Sequence, residues 1–264
     1  MARHIENEID YYYDSHSTEE DLMGETVVHA ALVRYLVDVL SWLFHGQQCA
    51  IYENLNVYLT RNKEEYPLAP DVAVIKGVKP ELLRSWSIAV SGIAPQVMFE
   101  IASEDTWAKD AQEKPARYER MGVSEYFAYD PNDPPLSRRH PQRLYGWRRD
   151  ETSGLLRPLT LNASGAMWSE QLESWLVPDG AFLRLYDRAW QLRLTQTQAE
   201  IKKSETLSIL AEAERREKEA ERQRADAERR EKEAERQRAE AEKRRAEALA
   251  EKLRSLGIDP DQLI

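Results

Sequence analysis

After Trp190 the chain of 264 residues contains one glycine, Gly257, and one proline, Pro260, and from Ala213 to Glu240 it runs through AERREKEAERQRAD and then AERREKEAERQRAE. So long a stretch without helix breakers, rich in alanine, glutamate, lysine and arginine, has the helix as its regular option. Alanine returns every seven residues, at Ala213, Ala220, Ala227, Ala234, Ala241 and Ala248, which is the spacing of one coiled-coil seam position. Three residues further on stand Arg216, Gln223, Arg230, Gln237 and Arg244, where a stable coiled coil wants apolar side chains. Glu214 with Lys218, Glu228 with Lys232, and Glu240 with Arg244 are four apart and support an isolated helix. Residues 191–256 are therefore expected to form a long charged helix, solvated and monomeric, or a weak coiled coil, followed by a short tail over 257–264. Leu207, Leu210, Leu249, Leu253 and Leu256 add apolar surface near both ends, which leaves a homo-oligomer or a protein partner on this helix open. Thr197 to Arg254 holds 17 basic and 16 acidic residues, a balance that makes the helix a poor clamp for nucleic acid.

The remaining prolines and glycines and every tryptophan lie at or before Trp190, so residues 1–190 are expected to form one domain. His29 to Phe44 places Leu32, Leu36, Val39, Leu40 and Leu43 on one helical face, and Ser17 to Asp21 is expected to cap a short helix before it. Ala50 to Thr60 alternates apolar and polar residues as a strand does. A strand around Asp71 to Ile75, a short helix through Glu81 to Val90 and a strand around Glu100 are expected next. A helix from Thr106 to Met121 closed by Gly122 follows, then a strand Glu125 to Asp130. Arg143 to Arg148, Leu155 to Leu161 and Ala181 to Leu185 read as later strands or hairpins. The order predicts an α/β fold with a mixed sheet flanked by helices.

Formal net charge is -10 and Cys49 is the single cysteine, which suits a reducing cytoplasm. Met1 to Asp14 lacks the pattern of a secretory signal. The longest apolar stretch, Leu36 to Phe44, is interrupted by Asp38 and falls short of the ~20 residues of a membrane helix; no membrane association is expected.

Two carboxylates stand out inside apolar strands: Asp71 in LAPDVAVI and Glu100 in VMFEIA. A buried carboxylate costs several kcal/mol unless it is paired, hydrogen-bonded or metal-bound, which makes these two the first candidates for an active site. Hard oxygen donors of this kind suit Mg2+ or Mn2+.

PDVAVIKG, then FEIASEDT, then DAQEKPARYERMGVSEYFAYDP resemble the Uma-two family of proposed restriction endonucleases, a branch of the PD-(D/E)XK nuclease superfamily. The resemblance covers about residues 20–186 and leaves the C-terminal helix outside. It implies a restriction-endonuclease-like core in which Asp71 and Glu100 bind the metal and a lysine assists hydrolysis of a DNA phosphodiester. The superfamily's lysine two residues after the strand glutamate is replaced here by Ala102. In the Uma-two pattern the matching residue is Lys114, on the following helix. Asp110, Lys114 and Tyr118 are four apart and share a helical face, although Pro115 would disturb a helix that does not begin near Lys114. Glu25, His29, Ser103, Asp110 and Tyr118 are expected as supporting residues.

Each residue also has a plainer role open to it: Asp71 as a turn acceptor, Glu100 in an ion pair with an arginine, Lys114 in solvent, Ser103 as a helix cap, Tyr118 and Tyr126 in the core. Residues 1–196 carry 20 basic and 29 acidic residues, an unusual balance for a protein that grips phosphates. The dense basic group is Arg138, Arg139, His140, Arg143, Arg148 and Arg149. The alternative function is therefore a nuclease-fold protein, weak or inactive in catalysis, whose helix recruits partners. No P-loop or serine-hydrolase motif is present.

Overall fold

The computed structural model describes residues 26–61, 66–103, 106–136 and 142–255. The expected cap at Ser17 to Asp21, Glu25, the basic residues Arg138, Arg139 and His140, and the tail over 257–264 lie outside the described residues. The chain divides into two units, residues 1–199 and 200–264.

In the first unit, Thr26 caps α1 (Val27–Leu43) by accepting a hydrogen bond from the His29 N–H at 3.2 Å. Leu32, Val33, Tyr35, Leu36, Val39 and Leu40 are its buried residues, which takes in the stripe its periodicity predicts except Leu43, partly buried against the core. A six-stranded mixed sheet follows, built from β1 (Cys49–Glu53), β3 (Val72–Lys76), β5 (Val97–Ile101), β6 (Glu125–Tyr129), β7 (Leu144–Arg149) and β8 (Leu156–Pro158) in that spatial order. Neighbours are antiparallel except β5 and β6, which run parallel. β5 and β6 are buried along their whole length, as expected of strands covered on both faces.

Alternation along these strands builds two core layers. Val72, Val74, Val97, Phe99, Ile101, Phe127 and Tyr129 pack with α1. Ala73, Met98, Tyr126 and Ala128 pack with Tyr118 and Met121 on the opposite face. The first layer also takes in Met167, Leu176, Leu183 and Leu185 from a three-stranded antiparallel sheet of β9 (Met167–Ser169), β10 (Ser174–Asp179) and β11 (Phe182–Tyr186). Contact between the sheets depends on Gly146, where a Cβ would run into Met167 Sδ and the Phe127 ring.

Several expected elements take a different form. The segment from Ala50 to Thr60 is two strands, because Asn54 adopts a positive φ of 48° and turns the chain. β2 (Asn56–Tyr58) then pairs in parallel with β4 (Ser85–Ser87), leaving only α2 (Ile88–Ser91) of the helix expected through Glu81 to Val90. The helix expected from Thr106 to Met121 is divided at Glu113 into α3 (Trp107–Gln112) and α4 (Lys114–Arg120). Pro115 is the physical reason: it lacks the N–H that a continuous helix would use and fits the first turn of a new one. Gly122 follows at φ +80°, open to glycine at little cost.

The helix α5 (Gln196–Ser255) runs for 60 residues with none of them buried. Lys218 pairs with Glu214 at 2.5 Å and Lys232 with Glu228 at 2.6 Å, as their spacing predicts. Glu240 pairs back to Arg236 at 3.4 Å instead of forward to Arg244. Among the described residues no helix is long and apolar enough to cross a membrane.

Candidate active site

The register of β3 on β5 pairs Val72 with Phe99, so the next position outward sets Asp71 opposite Glu100. Both fall on the strand parity of Ala73 and Met98, the face covered by α4. Asp71 Oδ2 accepts a hydrogen bond from the Ile101 N–H at 2.5 Å, and Asp71 Oδ1 lies 3.2 Å from His29 Nε2. The turn-type bond foreseen for Asp71 is thus a bond across strands, which locks it beside Glu100.

Glu100 is 4 % exposed. Its Oε1 accepts from Tyr118 Oη at 2.5 Å and lies 2.9 Å from Lys114 Nζ. Among the described residues Oε2 receives no hydrogen bond. Lys114 Nζ also lies 2.7 Å from Asp110 Oδ1, so one ammonium bridges a strand acid and a helix acid. The ion-pair partner of Glu100 is a lysine rather than an arginine, and Lys114 is not a solvated helix residue. Pro115 makes this possible, since α4 begins at Lys114. Tyr126 Oη donates to the Asp110 carbonyl at 2.8 Å and ties α3 to the sheet.

Burial and like charge set the protonation of the group. Desolvation pushes the Glu100 carboxyl up to about 8, with Asp71 and Asp110 adding repulsion that Lys114 and the Tyr118 hydrogen bond oppose. For Lys114 the largest single influence is desolvation, which pulls it down. Glu100 and Asp110 together outweigh that pull and hold the ammonium above its usual range. Desolvation followed by repulsion from Glu100 keeps the Tyr118 phenol protonated well past its ordinary value, so it serves as a donor.

Asp71, Glu100, Lys114, Asp110, Tyr118 and His29 therefore converge. Ser103 is elsewhere occupied: its N–H donates to Thr106 Oγ1 at 3.1 Å and its Oγ accepts from the Thr106 N–H at 3.3 Å, shaping the turn before α3. The described arginines of the basic group are engaged internally. Arg143 binds Tyr129 Oη at 2.8 Å, Arg148 binds Glu125 at 2.7 Å, and Arg149 binds the carbonyls of Glu119 and Val123 at 2.5 and 2.9 Å. The other three members of the group, Arg138, Arg139 and His140, lie outside the described residues. The Ile101 N–H that orients Asp71 escaped sequence reasoning because a backbone donor has no residue signature.

No group of three or more histidine, cysteine or acidic side chains among the described residues is arranged to hold an ion by itself. A hard dication needs no such cage: one or two carboxylates with waters and phosphate oxygens suffice. Asp71 and Glu100 fit that demand, with Glu100 Oε2 receiving no hydrogen bond among the described residues.

The sequence profile of the Uma2 family, described as "Putative restriction endonuclease", matches residues 4–173. Among solved structures the chain is similar to a "putative nuclease belonging to DUF820" from Anabaena variabilis. That match has 15% identity and a TM-score of 0.39, and it covers 54% of this chain and 76% of the other. No curated protein matches.

Proposed function

Since the chain belongs to the Uma2 family of restriction-endonuclease-like proteins, we propose that it is a Mg2+- or Mn2+-dependent DNA endonuclease that hydrolyses phosphodiester bonds with Asp71, Glu100 and Lys114. The observation that carries this reading is the division of labour on Glu100, a residue set opposite Asp71 by the strand register: one oxygen is gripped by Lys114 and Tyr118, and the other receives no hydrogen bond among the described residues. A carboxylate kept for structure alone is normally saturated with donors.

Asp71 and Glu100 would hold the cation. A cation bound there supplies a more acidic water and neutralises charge on the phosphate. The protein's own residues do the positioning. Ile101 N–H and His29 fix Asp71, and Tyr118 fixes Glu100. Lys114, whose side chain is 21% exposed, keeps its charge through Asp110 and directs it at the reacting phosphate, where a fixed ammonium stabilises developing negative charge. The long helix α5, with no buried residue, is proposed as a separate arm for a protein partner or a second copy. That feature is also what favours the second reading, a nuclease fold retained for assembly.

Manganese binding read by water-proton relaxation tests the proposal without a guessed substrate. The wild type should bind, and the Asp71→Asn/Glu100→Gln variant should not. Equal behaviour of the two, even at millimolar metal, would favour the assembly reading.

A further inference from the structure

Beside α4 lies a cleft of about 230 Å³, with Leu59, Leu68 and Met121 on its floor and Tyr66, Arg117 and Arg120 at its rim. Its size decides what class of ligand it takes: typical cofactor pockets run to ~300–1,000 Å³, so this one accepts a part of a longer molecule. Its charge is the second observation. Neither Arg117 nor Arg120 has a carboxylate partner among the described residues, in a chain of net charge -10. Arg117 Nη2 donates to the Tyr66 carbonyl at 3.2 Å. Glu119, beside them, is turned to the Leu156 N–H at 2.6 Å. Three apart on one helix, the two guanidiniums are neighbours that repel one another, an arrangement that an anion between them would relieve.

Tyr66 is 59% exposed at the same rim, and an aromatic ring beside two cations is a combination suited to a base and its phosphate. The cleft and the acid cluster share α4, which carries Lys114 and Tyr118 as well as Arg117 and Arg120. Leu68 and Met121 on its floor belong to the same packed layer as Tyr118, which binds Glu100.

We propose that this cleft binds one nucleotide of the DNA strand flanking the cut phosphate, with its phosphate on Arg117 and Arg120 and its base against Tyr66. This rests on the nuclease reading of Asp71 and Glu100. α4 then serves both steps, Lys114 facing the reacting phosphate and the arginines holding the strand in register. Arg117 and Arg120 are positioning residues.

The test is fluorescence anisotropy of a short fluorescein-labelled DNA in EDTA across a salt series, using the full chain. Arg117→Gln/Arg120→Gln should weaken binding roughly tenfold and make the log–log salt slope shallower by about 1 to 2, the signature of lost phosphate contacts. Arg117→Lys/Arg120→Lys should restore the slope, and manganese binding should be unaffected in both variants. Tyr66→Ala should weaken binding with the slope unchanged. An unaltered affinity and slope in the glutamine variant would overturn the cleft and leave the metal site standing, as would a weaker affinity with the wild-type slope. Absence of DNA binding by the wild type would overturn the cleft, while the metal site is judged separately by manganese binding.

Discussion

Glu100 and Glu125 are buried glutamates on adjacent parallel strands, and the protein treats them in opposite ways. Glu125, fully buried, has both oxygens saturated. Oε1 accepts from Arg148 Nε at 2.7 Å and the Glu170 N–H at 2.9 Å, and Oε2 from Ser169 Oγ and the Gln171 N–H. It joins β6 to β7 and to the loop after β9, and nothing remains for a ligand. Among the described residues Glu100 has donors on one oxygen only, and it shares its surroundings with two further acids. Burial is common to both, so burial alone identifies neither. The number of donors that the protein supplies separates a carboxylate used as mortar from one held ready for a cation.

The sharpest way to break this contrast is to neutralise each in turn. Glu100→Gln should lower cleavage by at least ~10²-fold and abolish manganese binding, with the thermal midpoint not lowered; a loss of stability would make Glu100 structural as well. Glu125→Ala should leave cleavage per folded molecule intact and cost about 3–5 kcal/mol in urea unfolding, because Arg148 and two backbone donors lose their acceptor. Lys114→Gln should slow cleavage by ~10–10²-fold with manganese affinity little changed, measured by single-turnover rates beside a metal titration. A parallel loss of affinity would place Lys114 in the architecture of the site.

A smaller effect separates the two glutamates by pH. The carboxyl of Glu100 ordinarily titrates at 4.5, and burial raises it to about 8 in the folded protein. The folded chain therefore keeps a proton that the unfolded chain releases, and the associated stability, complete below 4.5, is lost as pH rises to about 8. In metal-free protein the wild type should lose stability relative to Glu100→Gln across that window in thermal melts, and a pH-independent difference would refute the raised value. Smallest of all, a fragment ending at Ala199 keeps both glutamates and should match the full chain in melting and cleavage, since no residue of α5 is buried.

The sequence made one half of this comparison legible. Glu100 inside VMFEIA and Asp71 inside PDVAVI announce themselves because a charge in an apolar strand is rare. The spacing of Lys114 and Tyr118 foretold their common face on α4, whereas Asp110 stands on α3 and meets Lys114 across the break; Pro115, read as an obstacle, marks the start of α4. Glu125 was hidden because it opens a strand, where an acid is unremarked, and its partners Arg148, Ser169 and Glu170 come from distant segments. The same reason hid β9 and β10, whose pairing depends on long-range contact rather than local pattern. Asn54 broke an apparently regular strand by a backbone conformation that alternation of residue types does not record.

β5 and β6 are the parallel pair of the main sheet, and a parallel pair cannot be closed by a hairpin. The chain between them must cross over, and that crossover is α3 and α4, the source of Asp110 and Lys114. Topology and chemistry are thus one event in time. The loop closure that brings β6 to β5 also carries the ammonium to Glu100. Recovery of activity during refolding should then follow the slow, non-local step of folding and not the fast formation of helices.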